Sequence, residues 1–232
     1  MALILCIETA TTVCSVVLAK DGKLISIREI NKGYTHAENI TIFIDEVLKE
    51  AKLKPTDIDA VCVSKGPGSY TGLRIGVSTA KGLCYALDKP LLSINSLFSM
   101  AEGVRNSQFS ILNSQFCFCP MIDARRMEVY CAIYNQSGAE VKPTCAEIID
   151  ENSFADLLSK NKIYFFGDGA EKCKAILSKH KNAVFVSDIF PSAKNMIKLA
   201  EEKYNQKQFE DVAYFEPYYL KEFIAGKKKG SE

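Results

Sequence analysis

Ser64-Lys65-Gly66-Pro67-Gly68-Ser69-Tyr70-Thr71-Gly72-Leu73-Arg74-Ile75-Gly76 leaves an apolar run, Ala60 to Ser64, turns through glycines and a proline, and enters a helical pattern that continues to Leu87. It reads as a buried strand feeding a helix from about Thr71, with Ser69 as the cap. Backbone amides at such a helix start can cradle an anion, with Ser69 and Thr71 as hydroxyl donors, but a tight capped turn is the favoured reading. The glycine spacing fits neither the dinucleotide-binding G-x-G-x-x-G nor the phosphate loop G-x-x-x-x-G-K-[ST], so both of those functions are excluded. Gly76 and Gly82 each cost about 1 kcal/mol inside a helix and ask for a packing reason.

Upstream, Leu3 to Glu8, Cys14 to Ala19 and Lys23 to Ile30 predict three strands, the last two joined at Asp21-Gly22, a strong hairpin signal. Ile40, Phe43, Ile44, Val47, Leu48 and Ala51 then recur three or four apart, an amphipathic helix from about Ala37, with Thr35 and Glu38 as a candidate capping box. Downstream, Pro90 to Ile94 predicts a strand and Asn95-Ser96 a helix start. Three antiparallel strands followed by alternating helices and parallel strands make a mixed α/β fold. The polar stretch Asn106 to Gln115 predicts a domain boundary. Beyond it, strands at Phe116 to Ile122, Glu128 to Tyr134, Ile163 to Phe166 and Ala183 to Val186, with helices at Ser153 to Ser159, Ala170 to Ser178 and Ser192 to Tyr204, repeat the first half in outline.

Lys and Arg exceed Asp and Glu by one in 232 residues, so no global field draws the chain onto nucleic acid or an acidic membrane. The one basic cluster, Lys227, Lys228 and Lys229, reads as a solvated tail. Nine cysteines lie mostly in apolar runs, as buried thiols of a reducing compartment do. Cys117 and Cys119 read as alternate positions on a strand. With two histidines, His36 and His180, and no H-x-x-x-H pair, no metal site is expected. No apolar run approaches the roughly 18 residues of a membrane helix, and Glu8 interrupts the first apolar run, so a cytoplasmic location is expected.

Glu8-Thr9-Ala10-Thr11 sits on a turn between two strands, where a kinase-like nucleotide fold keeps an acid for magnesium or water. Such sites carry Asp then Gly. With the longer Glu8 and no glycine after it, Glu8, Thr9, Thr11, Gly68 and Ser69 read as a vestigial nucleotide or anion site. Asp123-Ala124-Arg125-Arg126-Met127-Glu128 reads equally as a bidentate phosphate or carboxylate binder or as a charged hairpin turn. His36 reads as a surface histidine at a helix start.

Ile7-Glu8-Thr9-Ala10-Thr11, Gly66 to Gly76, Ile122 to Tyr130 and Glu216-Pro217-Tyr218-Tyr219-Leu220, in that order along the chain, together resemble the TsaB (YeaZ) family. The resemblance implies two actin-like, sugar-kinase-like (ribonuclease H-like) domains, the first spanning 1–105 and completed by 212–232, the second 106–211. It implies a non-catalytic but required subunit of the bacterial complex that places a threonylcarbamoyl group on the adenosine 3′ of the anticodon in ANN-reading tRNAs. Its partners would be a TsaD-type catalytic subunit, a paralogue, and a TsaE-type ATPase. Transfer RNA would be met only through the complex, and a homodimer would form in isolation. No cofactor is implied for this chain, ATP or ADP binding being doubtful. The pairing surface would be the two helices of the first domain, drawn from His36, Ile40, Phe43, Ile44, Val47, Tyr70, Leu73, Arg74, Val77, Ala80 and Lys81, with Gly76, Ala80 and Gly82 permitting close approach. Glu8 and Tyr70 stand where the family usually has Asp and Phe.

The competing reading is an enzyme of the same fold, a small-molecule kinase or a metal-dependent peptidase-like protein. A kinase wants an Asp-Gly phosphate turn and a metallopeptidase wants clustered histidines, and the sequence supplies neither. Direct RNA binding is disfavoured by the neutral charge.

Overall fold

The computed structural model describes residues 2–33, 35–107 and 116–221. Strands β1 (Leu3–Glu8), β2 (Val13–Lys20) and β3 (Lys23–Asn31) form an antiparallel meander. The Asp21-Gly22 turn has both φ values positive, 52° and 68°, the geometry that lets a two-residue hairpin follow the strand twist. Helix α1 (His36–Ala51) leads to β4 (Ala60–Gly66), parallel to β1, and α2 (Tyr70–Leu87) to β5 (Leu91–Asn95), parallel to β4. Helix α3 (Ser96–Ser107) closes this half.

The second half runs β6 (Phe116–Asp123), β7 (Glu128–Asn135), β8 (Glu140–Ile148), α4 (Ala155–Leu158), β9 (Lys162–Phe166), α5 (Ala170–Leu177), β10 (Ala183–Phe185) and α6 (Ile197–Asn205). Its sheet order, β8-β7-β6-β9-β10, repeats β3-β2-β1-β4-β5, with the first three strands antiparallel and the next two parallel in both. The fold is two actin-like, sugar-kinase-like domains, each a mixed sheet flanked by helices.

Each sheet is apolar on both faces. Leu5 and Ile7 of β1 meet Ile44, Val47, Val77 and Ala80 of α1 and α2, while Ile4 and Cys6 point to the opposite face. That opposite face is covered by Ala193, Met196, Ile197 and Ala200, from α6 and the 3₁₀ turn before it. Reciprocally, Leu97, Met100, Ala101 and Val104 of α3 cover Phe116, Phe118 and Phe166 of the second sheet. The helix that ends each half therefore lies on the other half's sheet. Residues 193–205, expected in the second domain, pack on the first sheet, because that sheet's second face has no cover from its own half.

Other expectations shift locally. Helix α3 runs through Ser107, where a linker from Asn106 was expected, and residues 108–115 lie outside the described residues, as do Lys227 to Lys229. Strand β8 is an addition to the expected elements. Thr35 makes no side-chain capping bond, so the expected capping box is not formed. Ser69 does cap α2, accepting from the Gly72 amide at 3.2 Å. Cys117 and Cys119 share one buried face of β6. The chain returns to the first half through Glu210, whose amide donates to the Leu91 carbonyl, and through Val212 and Phe215, which pack on its core. No helix among the described residues is long and apolar enough to cross a membrane.

Candidate functional site

At the end of β1, Glu8 is wholly buried. Its Oε1 accepts from Ser64 Oγ at 2.7 Å and from the Ala10 amide at 2.6 Å, while Oε2 has no hydrogen-bond partner. Burial, opposed by those bonds, pushes its pKa up to about 7. Thr9 points inward against α2, where a Cβ on Gly76 would stand 2.3 Å from Thr9 Oγ1. That contact is the packing reason for Gly76, and it is internal to the chain. Thr11 is buried, and its carbonyl accepts from His36 Nε2 at 2.8 Å.

The β1–β2 turn is also joined to the β4–α2 turn. The Ser69 amide donates to the Ala10 carbonyl at 2.7 Å, and a Cβ on Gly68 would lie 2.3 Å from that oxygen. The expected vestigial residues Glu8, Thr9, Thr11, Gly68 and Ser69 are therefore brought together, but as a closed cluster. A phosphate could sit between these two turns only if they parted, and the buried, proton-retaining Glu8 is unsuited to holding magnesium there. The residues do not fit a nucleotide at this place. His36, expected at the surface, is 1% exposed, packed beside Gly72, and burial lowers its pKa.

The residues expected to form the partner surface divide. Ile40, Ile44, Val47, Leu73, Val77 and Ala80 are buried in the chain's own interior, as is His36, and are not exposed on its surface. Phe43 is half-buried against the same core. Tyr70, Arg74 and Lys81 lie on the flank of α2 and are engaged by the returning C-terminal segment. Arg74 lies over the Tyr70 ring at 4.1 Å and donates to Tyr219 Oη at 3.2 Å, and Lys81 donates to the carbonyls of Ala213 and Phe215. The Tyr218 amide reaches the Lys65 carbonyl, and Lys221 pairs with Glu128 of the second half.

Exposed on α2 are Thr71, Ser78, Gly82, Tyr85 and Ala86, and on the adjacent α1 Ile42, 52% exposed, stands among the polar Glu38, Thr41 and Asp45. A Cβ on Gly82 would meet nothing within 4 Å, so this face has room for another backbone. Tyr85, 86% exposed, is a large aromatic at its end. Ile42 and Tyr85 were not singled out from sequence, whereas Ser78 was read there, with Gly82, as a small residue permitting close approach. Their signal was Thr71, Ser78, Gly82 and Tyr85 recurring on the stripe of α2 opposite its buried one.

In the second half, Asp123 accepts from Lys172 at 2.5 Å and from the Arg125 amide at 2.7 Å. Arg125 and Arg126 both have positive φ, 70° and 49°, and their side chains are exposed. The segment is thus a charged hairpin turn with an ion pair at its base. Half-buried Asp168, at the corresponding end of β9, is raised to about 6 by desolvation. His180 contacts the Glu151 carbonyl at the surface. Among the described residues, no three His, Cys, Asp or Glu side chains gather as metal ligands.

A TsaB-named relative of Haemophilus influenzae, "tRNA threonylcarbamoyladenosine biosynthesis protein TsaB", is 30% identical over 97% of this chain and 96% of the relative. This chain belongs to the TsaB family. The TsaB protein of Escherichia coli is likewise 30% identical, over 97% of each chain. The family model described as TsaD, tRNA N6-adenosine threonylcarbamoyltransferase, matches residues 32–228, so this TsaB-family chain also carries the pattern of the transferase. The structure of YeaZ from Pseudomonas aeruginosa superposes with a TM-score of 0.80 at 24% identity, covering 95% of this chain and 100% of that one, which shows the shared fold.

Proposed function

We propose that this TsaB-family chain serves tRNA threonylcarbamoyladenosine biosynthesis as a non-catalytic subunit that seats on a TsaD-type catalytic subunit through the outward face of α1 and α2. The observation that carries this reading is the contrast between the closed cluster at Glu8 and the open face beside it. Glu8, Thr9, Thr11 and His36 point inward and are sealed by the Ser69–Ala10 hydrogen bond, so they offer nothing to a substrate. Ile42, Ser78, Gly82 and Tyr85 point outward on two long helices and offer apolar and small surface to another helix pair.

The match to a transferase family model supports a paralogue as the partner, since related chains present related helix faces and pair about a pseudo-two-fold axis. Without the paralogue, the same face pairs two copies of this chain. A TsaE-type ATPase joins the assembly, and transfer RNA is met through it, in keeping with a net charge of +1. The test is threonylcarbamoyl transfer to tRNA by the purified chain alone and with a TsaD-type subunit, a TsaE-type ATPase and the threonylcarbamoyl donor. The reading expects no product from the chain alone and product from the full mixture. Product from the chain alone overturns its non-catalytic assignment.

A further inference from the structure

Three thiols lie in a row across the second sheet, on β6, β7 and β8, and the proposed partner role uses none of them. Cys131 and Cys145 are directly opposed in the antiparallel β7–β8 pair. Opposed residues in such a ladder have Cα atoms about 4.5 to 5.5 Å apart. That lies within the roughly 4.4 to 6.8 Å spanned by disulfides. The two sulfurs are already in contact, Sγ to Sγ 4.0 Å. Strand β8 is the edge of its sheet, and Cys145 is half-exposed while the other eight cysteines are buried. Cys145 also donates to Glu147 Oε2 at 3.7 Å, and Lys142 pairs with that carboxylate at 2.8 Å.

We propose that Cys131 and Cys145 are a redox-modification site that closes to a cross-strand disulfide when the chain meets a peroxide. Cys145 is the thiol that solvent reaches, and Glu147 is placed to take its proton. The Cys145 sulfur attacks one peroxide oxygen, the O–O bond breaks, and the leaving hydroxide regains the proton as water. The resulting sulfenic acid is attacked by the Cys131 sulfur. An S–S bond forms, the S–O bond breaks, and hydroxide leaves with the Cys131 proton as a second water. Two thiols are oxidised and one peroxide is reduced to two waters. Cys131 is the resolving thiol because it is buried against Cys145 and cannot meet the oxidant itself. Contact with neighbouring thiols, and then burial, hold both pKa values above the ordinary range, so the reaction quickens as pH rises.

The test treats the full chain with hydrogen peroxide, blocks and counts the remaining thiols after denaturation, and maps any bond by mass spectrometry. The expected result is the loss of two of the nine thiols, a bond joining Cys131 to Cys145, and recovery of both by dithiothreitol. Cys145→Ser, a near-isosteric change at a half-exposed position, should keep all its remaining thiols. All nine thiols surviving in the unmodified chain would overturn the proposal. So would an oxidised Cys145 beside a free Cys131, or a bond from Cys119 to Cys131.

Discussion

The two halves share one strand order and differ in what their helices are for. In the first half α1 and α2 are 16 and 18 residues long and bury one stripe against the sheet; outward, α2 presents small residues and Tyr85, and α1 presents Ile42 among charged side chains. In the second half the equivalent α4 and α5 have 4 and 8 residues and serve chiefly to cover their own sheet. The ends of the first strands differ as well: Glu8 is sealed inside, whereas Asp123 is paired to Lys172 at the surface, beside two exposed arginines. The two halves repeat one core and differ in their surfaces, the first with two long helices and the second with a polar turn at its strand ends.

The largest expected effect tests that division directly. Gly82→Arg fills the open space on α2 with a bulky cation and should weaken pairing with the TsaD-type subunit by at least about 30-fold, roughly 2 kcal/mol, in a calorimetric titration. Glu171→Arg, at an exposed position of α5 in the second half, should leave the affinity unchanged. Equal losses from both would break the comparison.

Gly76→Val should act on stability before pairing. Its first side-chain carbon would meet Thr9 Oγ1 at 2.3 Å, and overpacking of this kind costs about 1 to 3 kcal/mol, read as a lower midpoint in urea. Retained stability would show that α2 is not held as close to the β1–β2 turn as the structure places it.

The pH dependence sharpens the contrast at the strand ends. Because Glu8 is raised from 4.5 to about 7, the folded chain keeps a proton that the unfolded chain has lost in that window. Its contribution to stability therefore falls as pH rises from 4.5 to 7, by an amount on the order of 3 kcal/mol. Buried His36 acts in the opposite sense. Its lowered pKa makes the folded chain bind fewer protons, so its contribution is lost as pH falls below 6.5. Glu8→Gln should remove the first slope and leave the second, so that the variant gains on the unmodified chain between pH 5 and 7 in denaturant titrations. Parallel profiles for the two would place Glu8 in water rather than in the interior.

The smallest effect concerns the C-terminal segment. Arg74→Ala removes the cation over Tyr70 and the bond to Tyr219, and should speed hydrogen exchange in residues 213–219 while leaving the global unfolding midpoint unchanged. Unaltered exchange would mean that Lys81 and the Tyr218–Lys65 bond hold the segment by themselves.

Much of this architecture was legible in the sequence where a period met a buried face. Leu3 to Glu8, the Asp21-Gly22 turn and the stripe of α1 each had one physical reading. Strand β8 escaped because it is an edge strand: Pro143 and the charges at Glu140, Lys142 and Glu147 are tolerated where one side of the ladder is free, and they erase the alternation. Most of the residues expected at the partner surface are buried in the chain for a related reason. Ile40, Ile44, Val47, Leu73 and Val77 are the apolar residues a partner would want, but the chain's own interior takes them first, each gaining about 1.5 to 3 kcal/mol from burial. His36 looked like a surface residue because its cover, Gly72 and the Thr11 carbonyl, comes from elements distant in sequence. The exchange of α3 and α6 between halves was illegible because both are ordinary amphipathic helices, and local pattern does not say which sheet lacks cover.

On the proposed function, the chain supports a catalytic partner through the outer face of its first helix pair. The most direct test is threonylcarbamoyl transfer to tRNA in a mixture of a TsaD-type subunit, a TsaE-type ATPase and the donor, with the unmodified chain, with Gly82→Arg at matched folded concentration, or with neither. Product only with the unmodified chain is the predicted result. Equal product with Gly82→Arg would contradict the assigned face, and equal product without the chain would contradict the role itself.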